Sequence, residues 1–327
     1  MLRWVVTASS VLFLLGCAAN VSIADEQADD PDPSQEPPET GEPLEETAPI
    51  DDTPGPGPSD GGSETEPTDA IADGPPPKGV FSRDPFEGQT LPPKTVVLTY
   101  DDGPDEGSLP IAKYLAEQKI RATFFWNGRR FCTDAACKTN NQQNCDRGSQ
   151  TAVSDPVFYP ESLIKEVLAL GHLVASHTQN HCNLTQQSST TIVRELTLID
   201  QILQRNVTDP LTYFRPPYGA WNGTATNAAN GSAALGKIIG PIGWDEDGGD
   251  YACWKDNRSI EDCGRGYMDR ITRNRDHGVI VLLHDRPEFN VRSMQPLNLT
   301  KWLVPQLRSV GWTFRNLDEV PGIPKPR

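Results

Sequence analysis

Two histidines four residues apart, His177 and His181 in "HTQNH", can present both imidazoles on one side of a turn. Two adjacent carboxylates, Asp101 and Asp102 in "LTYDDGP", close a hydrophobic run. Side by side they repel, and burying either without a partner costs several kcal/mol, roughly. Two imidazoles and one carboxylate form a ligand set for a divalent cation, with positions left open for water and substrate. His177, His181 and Asp102 supply that set, and the cation would offset the repulsion at the aspartate pair. Thr178 stands where a zinc-protease HExxH helix carries its glutamate, so the base must come from elsewhere, and Asp101 is available. Taken alone, the histidine pair reads equally well as two polar loop residues.

Three further stretches carry weaker signals. "RPPYG" (215–219) is by itself a turn, with two prolines fixing an extended approach to Gly219. "WDEDGGDYACW" (244–254) is an acidic, glycine-rich loop, and such loops are usually just solvated. In "LLHD", His284 ends an apolar run, where a lone histidine is more often structural than catalytic.

In this order, "TYDDGP", "HTQNH", "RPPYG", "WDEDGGDY" and "LLH" closely resemble the five motifs of the polysaccharide deacetylases, carbohydrate esterase family four, or NodB homology domain. "ATFFWNGRR", "LIKEVLALGHLVASHTQNH" and "FRPPYGAWN" resemble that family's flanking text, and the likeness covers about residues 94–320. It implies an α/β fold, a distorted (β/α) barrel, and a metal-dependent hydrolase of N- or O-acetyl groups on sugars. It implies that Asp102, His177 and His181 hold the metal while Asp101 serves as general base, oriented by Arg215. A cation of this kind can lower the pKa of water to about 7. The resemblance further implies an oxyanion held with help from the Tyr218 backbone N–H. His284 would act as the acid that protonates the leaving amine, tuned by the motif-four aspartate placed at Asp250. Leu282 would line the acetyl pocket, and Trp221 is either a sugar-stacking surface or a packing residue. Tyr100 replaces the family's usual Phe, and Tyr251 stands where Trp often follows the motif-four aspartate. With Asp245 and Asp247 nearby, the choice of Asp250 rests on motif alignment alone.

Zn²⁺ is the default for this ligand set; Co²⁺, Ni²⁺ or Mn²⁺ also suit it, because ligand type alone selects weakly. The expected reaction is removal of acetyl groups, foremost from N-acetylglucosamine units of a cell-wall or extracellular polysaccharide. The alternatives are an amidase, deformylase or O-acetyl esterase of the same fold, and a non-catalytic carbohydrate-binding relative.

The elements that would position these residues follow from periodicity. Short apolar runs at 95–100, 122–128, 172–177, 211–217, 240–247, 278–285 and 312–317 read as strands. Helical patterns lie at 109–118, 160–171, 190–206, near 264–276 and near 297–309; Ile192, Leu196, Ile199 and Leu203 form one stripe. Alternation of this kind implies a parallel sheet or barrel, where functional residues gather at the carboxyl ends of strands. Asp101, His177, Arg215, Asp247 and His284 all fall at such ends.

The formal net charge of −16 is unevenly spread. Residues 1–93 hold 19 Asp and Glu against 3 Lys and Arg, whereas residues 94–327 hold 26 of each. The folded part is therefore neutral overall, and nothing supplies the basic footprint of a nucleic-acid binder. Residues 1–16, with Arg3 before "WVVTASSVLFLLG", read as an export signal too short to span a bilayer. Leu14-Leu15-Gly16-Cys17 resembles a bacterial lipobox, with cleavage before Cys17 and lipid on it as the sole membrane contact. Ala18 next to it points to the outer membrane of a Gram-negative cell. Residues 17–93 read as an acidic, proline-rich tether, 94–321 as the catalytic domain, and 322–327 as a tail. A monomer is expected. Six further cysteines, Cys132, Cys137, Cys145, Cys182, Cys253 and Cys263, suggest three disulfides in an oxidising compartment. Cys253–Cys263 is the simplest bridge, and Cys182 is read as a partner for one of the first three. Residues 131–157 look like an insertion, and His172 and His277 read as structural.

Overall fold

In "TVVLTYD", β2 (Thr95–Asp101), every residue is buried, as a continuous apolar run predicts for a strand covered on both faces. The computed structural model describes residues 80–131, 145–146, 158–208, 211–273, 276–286 and 294–325. Cys17 and the leader, Cys132, Cys137 and most of the 131–157 insertion lie outside the described residues.

Eight more strands are β1 (Val80–Phe86), β3 (Thr123–Trp126), β4 (Leu173–Ser176), β5 (Thr212–Tyr213), β6 (Ile238–Ile242), β7 (Glu246–Asp247), β8 (Val279–His284) and β9 (Thr313–Arg315). The helices are α1 (Ser108–Glu117), α2 (Ser162–Ala169), α3 (Ser189–Gln204), α4 (Gly223–Asn230), α5 (Asp250–Lys255), α6 (Ile260–Ile271) and α7 (Gln295–Ser309). One sheet runs β4-β3-β2-β8-β7, with β9 also on β2, and a second runs β1-β6-β5. All pairings are parallel. A parallel bridge between Ser176 and Phe214 links β4 to the chain just past β5. The two sheets thus follow one another around an interrupted barrel, the distorted (β/α) form expected.

The helical stripe of α3 is as predicted: Ile192, Leu196, Ile199 and Leu203 are fully buried, and Ser188 caps the helix by accepting from Thr191 N–H. Helix α6 begins about four residues earlier than the periodicity suggested. Ser259 caps it, and Glu261 and Asp262 sit in its first turn, where carboxylates suit the helix dipole. Under the sheet, Tyr100 stacks on Phe124 at 5.1 Å. Its hydroxyl, the one polar difference from Phe, is buried but pairs with Thr300 Oγ1 at 3.0 Å. His172 is structural: its Nδ1 accepts from Ala122 N–H and its Nε2 donates to the Ala112 carbonyl.

Strand β1 lies inside the segment read from composition as tether. In "VFSRDPF" only Phe81 is buried, so the strand carries almost no apolar signal, yet it pairs with β6 from Val80↔Ile239 to Phe86↔Ile242. At the other end, Ile323 is buried and the Pro324 carbonyl accepts from Tyr213 Oη, so the tail packs on the barrel at least that far. Cys253 pairs with Cys263, and Cys182 with Cys145.

Candidate active site

Five parallel strands or the turns just after them deliver Asp101, His177, Arg215, Asp247 and His284 to one end of the barrel. Asp101 is the last residue of β2, and Asp102 turns away with a left-handed φ of 75°. The turn after β4 has two residues of positive φ, Thr178 and His181. Asn180 donates through its N–H and its side chain to the buried Glu195 carboxylate of α3, and His181 N–H donates to Thr178 Oγ1. These bonds hold the two imidazoles 5.0 Å apart, centroid to centroid.

His181 Nε2 lies 3.0 Å and His177 Nε2 3.4 Å from Asp102 Oδ1. That oxygen is buried and accepts no hydrogen bond. Burial pushes the Asp102 carboxyl up, but His181 and His177 outweigh it and hold it well below the usual carboxylate range. The other ring nitrogens are engaged: His177 Nδ1 with the Arg215 carbonyl at 2.9 Å, and His181 Nδ1 with Tyr218 Oη at 3.1 Å. A carbonyl only accepts, so Nδ1 of His177 carries the proton and Nε2 the lone pair. This is the tautomer a metal ligand needs, fixed by a partner behind it. One ligand atom from each of Asp102, His177 and His181 lies within 4.8 Å of the others. The orphaned carboxylate oxygen, the His177 Nε2 lone pair and the His181 Nε2 beside them fit a divalent cation.

Asp101 faces the other way. Its Oδ1 accepts from Arg215 Nη1 at 2.9 Å, and its Oδ2 lies 3.7 Å from His177 Nε2. Arg215 is fully buried and donates also to Thr99 Oγ1 and to the Ile242 and Gly243 carbonyls, above the Phe125 ring at 4.3 Å.

Asp250 is the motif-four aspartate that meets His284. Its Oδ1 lies 2.7 Å from His284 Nδ1, its Oδ2 accepts from His284 N–H at 2.8 Å, and it is wholly buried. Asp245 instead accepts from the Gly88 and Ile280 N–H groups, and Asp247 from Gly249 N–H. Burial alone would push the His284 imidazole down. The Asp250 carboxylate overrides that, with help from Asp102 and Asp101, and holds His284 well above its ordinary value.

These groups open onto a cavity of about 430 Å³ lined by Asp101, Asp102, His177, His181, Leu282 and His284, with Tyr218 at the mouth. Tyr218 has φ 60° and is more than half exposed. Trp221 is absent from this lining. Sequence reasoning gave no pocket role to Trp244 or Tyr251 and placed Asp247 only at a strand end; all three lie within the quoted acidic loop, so an aromatic beside carboxylates was the available signal. It also missed Asp285, whose buried Oδ2 accepts from Ser108 Oγ at 2.6 Å and Trp126 Nε1 at 2.8 Å. Asp285 packs beneath the aspartate turn, where a Cβ on Gly103 would come within 2.4 Å of it. Arg130 ties the same turn through the Pro104 carbonyl and Asp105.

Residues 88–233 match the family described as polysaccharide deacetylase. A peptidoglycan-N-acetylglucosamine deacetylase of Bacillus cereus is 28% identical over 228 residues, 69% of this chain and 88% of the relative. The chitin deacetylase of the fungus Colletotrichum lindemuthianum has the same fold: TM-score 0.55, 24% identity, 74% of this chain and 92% of that one. A CE4 family pseudoenzyme from Bacillus anthracis shares it too, with TM-score 0.51, 20% identity, and 73% and 69% coverage. Fold and motif order agree with the family match, which places a polysaccharide deacetylase domain over residues 88–233.

Proposed function

We propose that this domain hydrolyses acetyl groups from N-acetylglucosamine units of a cell-wall or extracellular polysaccharide, with one divalent metal ion. The observation that carries the reading is the division of labour around the pocket. Asp102 Oδ1 is left to His177 and His181, while Asp101 is turned onto Arg215. Asp102, His177 and His181 would hold the ion, which supplies Lewis acidity and a water acidified toward neutral pH. Asp101, oriented by Arg215, takes the proton from the attacking water. The Tyr218 backbone N–H, in its left-handed turn, is assigned as a donor to the developing oxyanion. His284, kept protonated by Asp250, gives its proton to the leaving nitrogen. Leu282 packs beside the acetyl methyl.

The charged His284 favours N-acetyl over O-acetyl substrates. An amine leaves an amide carbon only once protonated, whereas an alkoxide leaves with less help. Deacetylation of N-acetylglucosamine oligomers and peptidoglycan, run beside acetylated xylan and a small formamide, tests the assignment. Preference for the N-acetylated glycans supports it, and turnover of the small amide alone would replace it with the amidase reading.

The domain is also read as exported, lipid-anchored through Cys17 and held off the membrane by the acidic tether. The disulfides Cys145–Cys182 and Cys253–Cys263 support an oxidising compartment. Among the described residues no helix is long and apolar enough to cross a membrane. Metabolic labelling with an alkynyl fatty acid, lost in Cys17→Ala, checks the anchor.

A further inference from the structure

Trp221 lines a second cleft, about 210 Å³ in volume, between the end of β1 and the turns after β5 and β6. Its indole is held from behind. It stacks on Phe81 at 5.9 Å, meets Phe214 edge-on at 5.3 Å, and donates from Nε1 to the Ser82 carbonyl at 2.9 Å. Trp244 is the wall common to this cleft and the catalytic pocket. The opposing side is just as thin: Tyr218 lines the pocket and its neighbour Gly219 lines the cleft. A Cβ on Gly219 would stand 2.9 Å from the Trp244 ring, so the two segments touch there. Across the cleft β1 brings Arg83, which is exposed, and Glu87, which is half-buried.

Two indoles, one of them pinned, with one guanidinium and one carboxylate suit a particular ligand chemistry. An anion would meet Glu87, and a cation would meet Arg83. A neutral ring with an apolar C–H face and several hydroxyls uses all four groups: the face lies on an indole, and the hydroxyls bond to the charged forks. We propose that the Trp221–Trp244 cleft binds a second sugar residue of the same polymer whose acetyl group enters the catalytic pocket. This rests on the deacetylase reading, and it sets the direction in which the chain crosses the barrel, from the catalytic pocket toward β1.

The test uses the metal-loaded full chain and N-acetylglucosamine as monomer and as oligomers of two to six residues, with wild type beside Arg83→Ala/Glu87→Gln. Losing charged hydrogen bonds to one sugar should lower kcat/KM by about tenfold on oligomers that reach the cleft, through KM, and leave single N-acetylglucosamine, which has no second sugar, unchanged. An equal loss at every length, or no loss, would overturn the proposal. Direct binding separates this from the chemistry. In the Asp101→Asn background, hexamer binding followed by tryptophan fluorescence should weaken about tenfold in the double variant. If wild type releases no acetate, the deacetylase reading fails, and the same titration still decides the cleft: unweakened binding, or none, would sink it.

Discussion

Arg215 Nη1 lies 2.9 Å from Asp101 Oδ1, both side chains buried, and this ion pair separates the two adjacent aspartates. Asp101 is committed to Arg215, which frees Asp102 for the histidines. Removing one member of such a pair strands a buried charge. Arg215→Ala should therefore lose about 3–5 kcal/mol of stability. Asp101→Asn keeps an oxygen for Arg215 to donate to and should stay folded. Denaturant unfolding of the two variants checks the contrast.

His284 gives a pH prediction. Its pKa is raised, so the imidazolium persists through neutral pH and is lost as pH rises through that raised value. Activity should then fall on the alkaline side with loss of the acid. By linkage, the stability from the His284–Asp250 pair is full below about 6.5 and disappears above the raised value. In Asp250→Asn burial is no longer outweighed by the carboxylate 2.7 Å away, and the alkaline limb should move to lower pH. The profile of kcat/KM against pH for both proteins measures this, and an unmoved limb would remove His284 from the acid role.

Tyr218 should tune the proposed ion from behind. Its hydroxyl is 3.1 Å from His181 Nδ1, and losing such a partner typically costs about 10–100-fold in metal affinity. Tyr218→Phe should weaken Zn²⁺ binding by that order while the fold holds, since the ring is exposed. Competition with a chromogenic chelator reads it directly. Chelation should also lower the melting temperature, because a ligand that binds only the native state stabilises it.

Asp285 should cost stability above neutral pH. Burial outweighs the bonds from Ser108 and Trp126 and pushes its carboxyl up to about 7. The folded state then binds a proton that the unfolded chain has already released, so stability falls as pH rises from about 4 to about 7. Asp285→Asn still accepts from Ser108 and Trp126. It should flatten that part of the stability curve, which melting temperatures across the range will show.

The cluster proposed to hold the metal and supply the base was legible because it is local in the chain: an aspartate pair in one turn and a histidine pair in another. Strands β2 and β8 were legible as unbroken apolar runs. Strand β1 was not, since "VFSRDPF" buries one phenylalanine and reads like the polar segment before it. Asp285 was hidden for another reason. Ser108 and Trp126 lie more than 150 positions away in the chain, and nothing in "LLHD" marks a carboxylate packed under Gly103. Asp250 could be placed by motif, but its claim over Asp245 and Asp247 needed three dimensions. The Cys145–Cys182 pairing was likewise one of several the spacing allowed.

The most direct measurement is acetate release from N-acetylglucosamine oligomers by the purified protein, before and after chelation, after Zn²⁺ is returned, and in Asp101→Asn. Release should vanish on chelation and return with Zn²⁺. Asp101→Asn should bind Zn²⁺ as wild type does and turn over at least about 100-fold more slowly. Acetate release that survives chelation, or an Asp101→Asn protein as active as wild type, would contradict the assignment of metal and base.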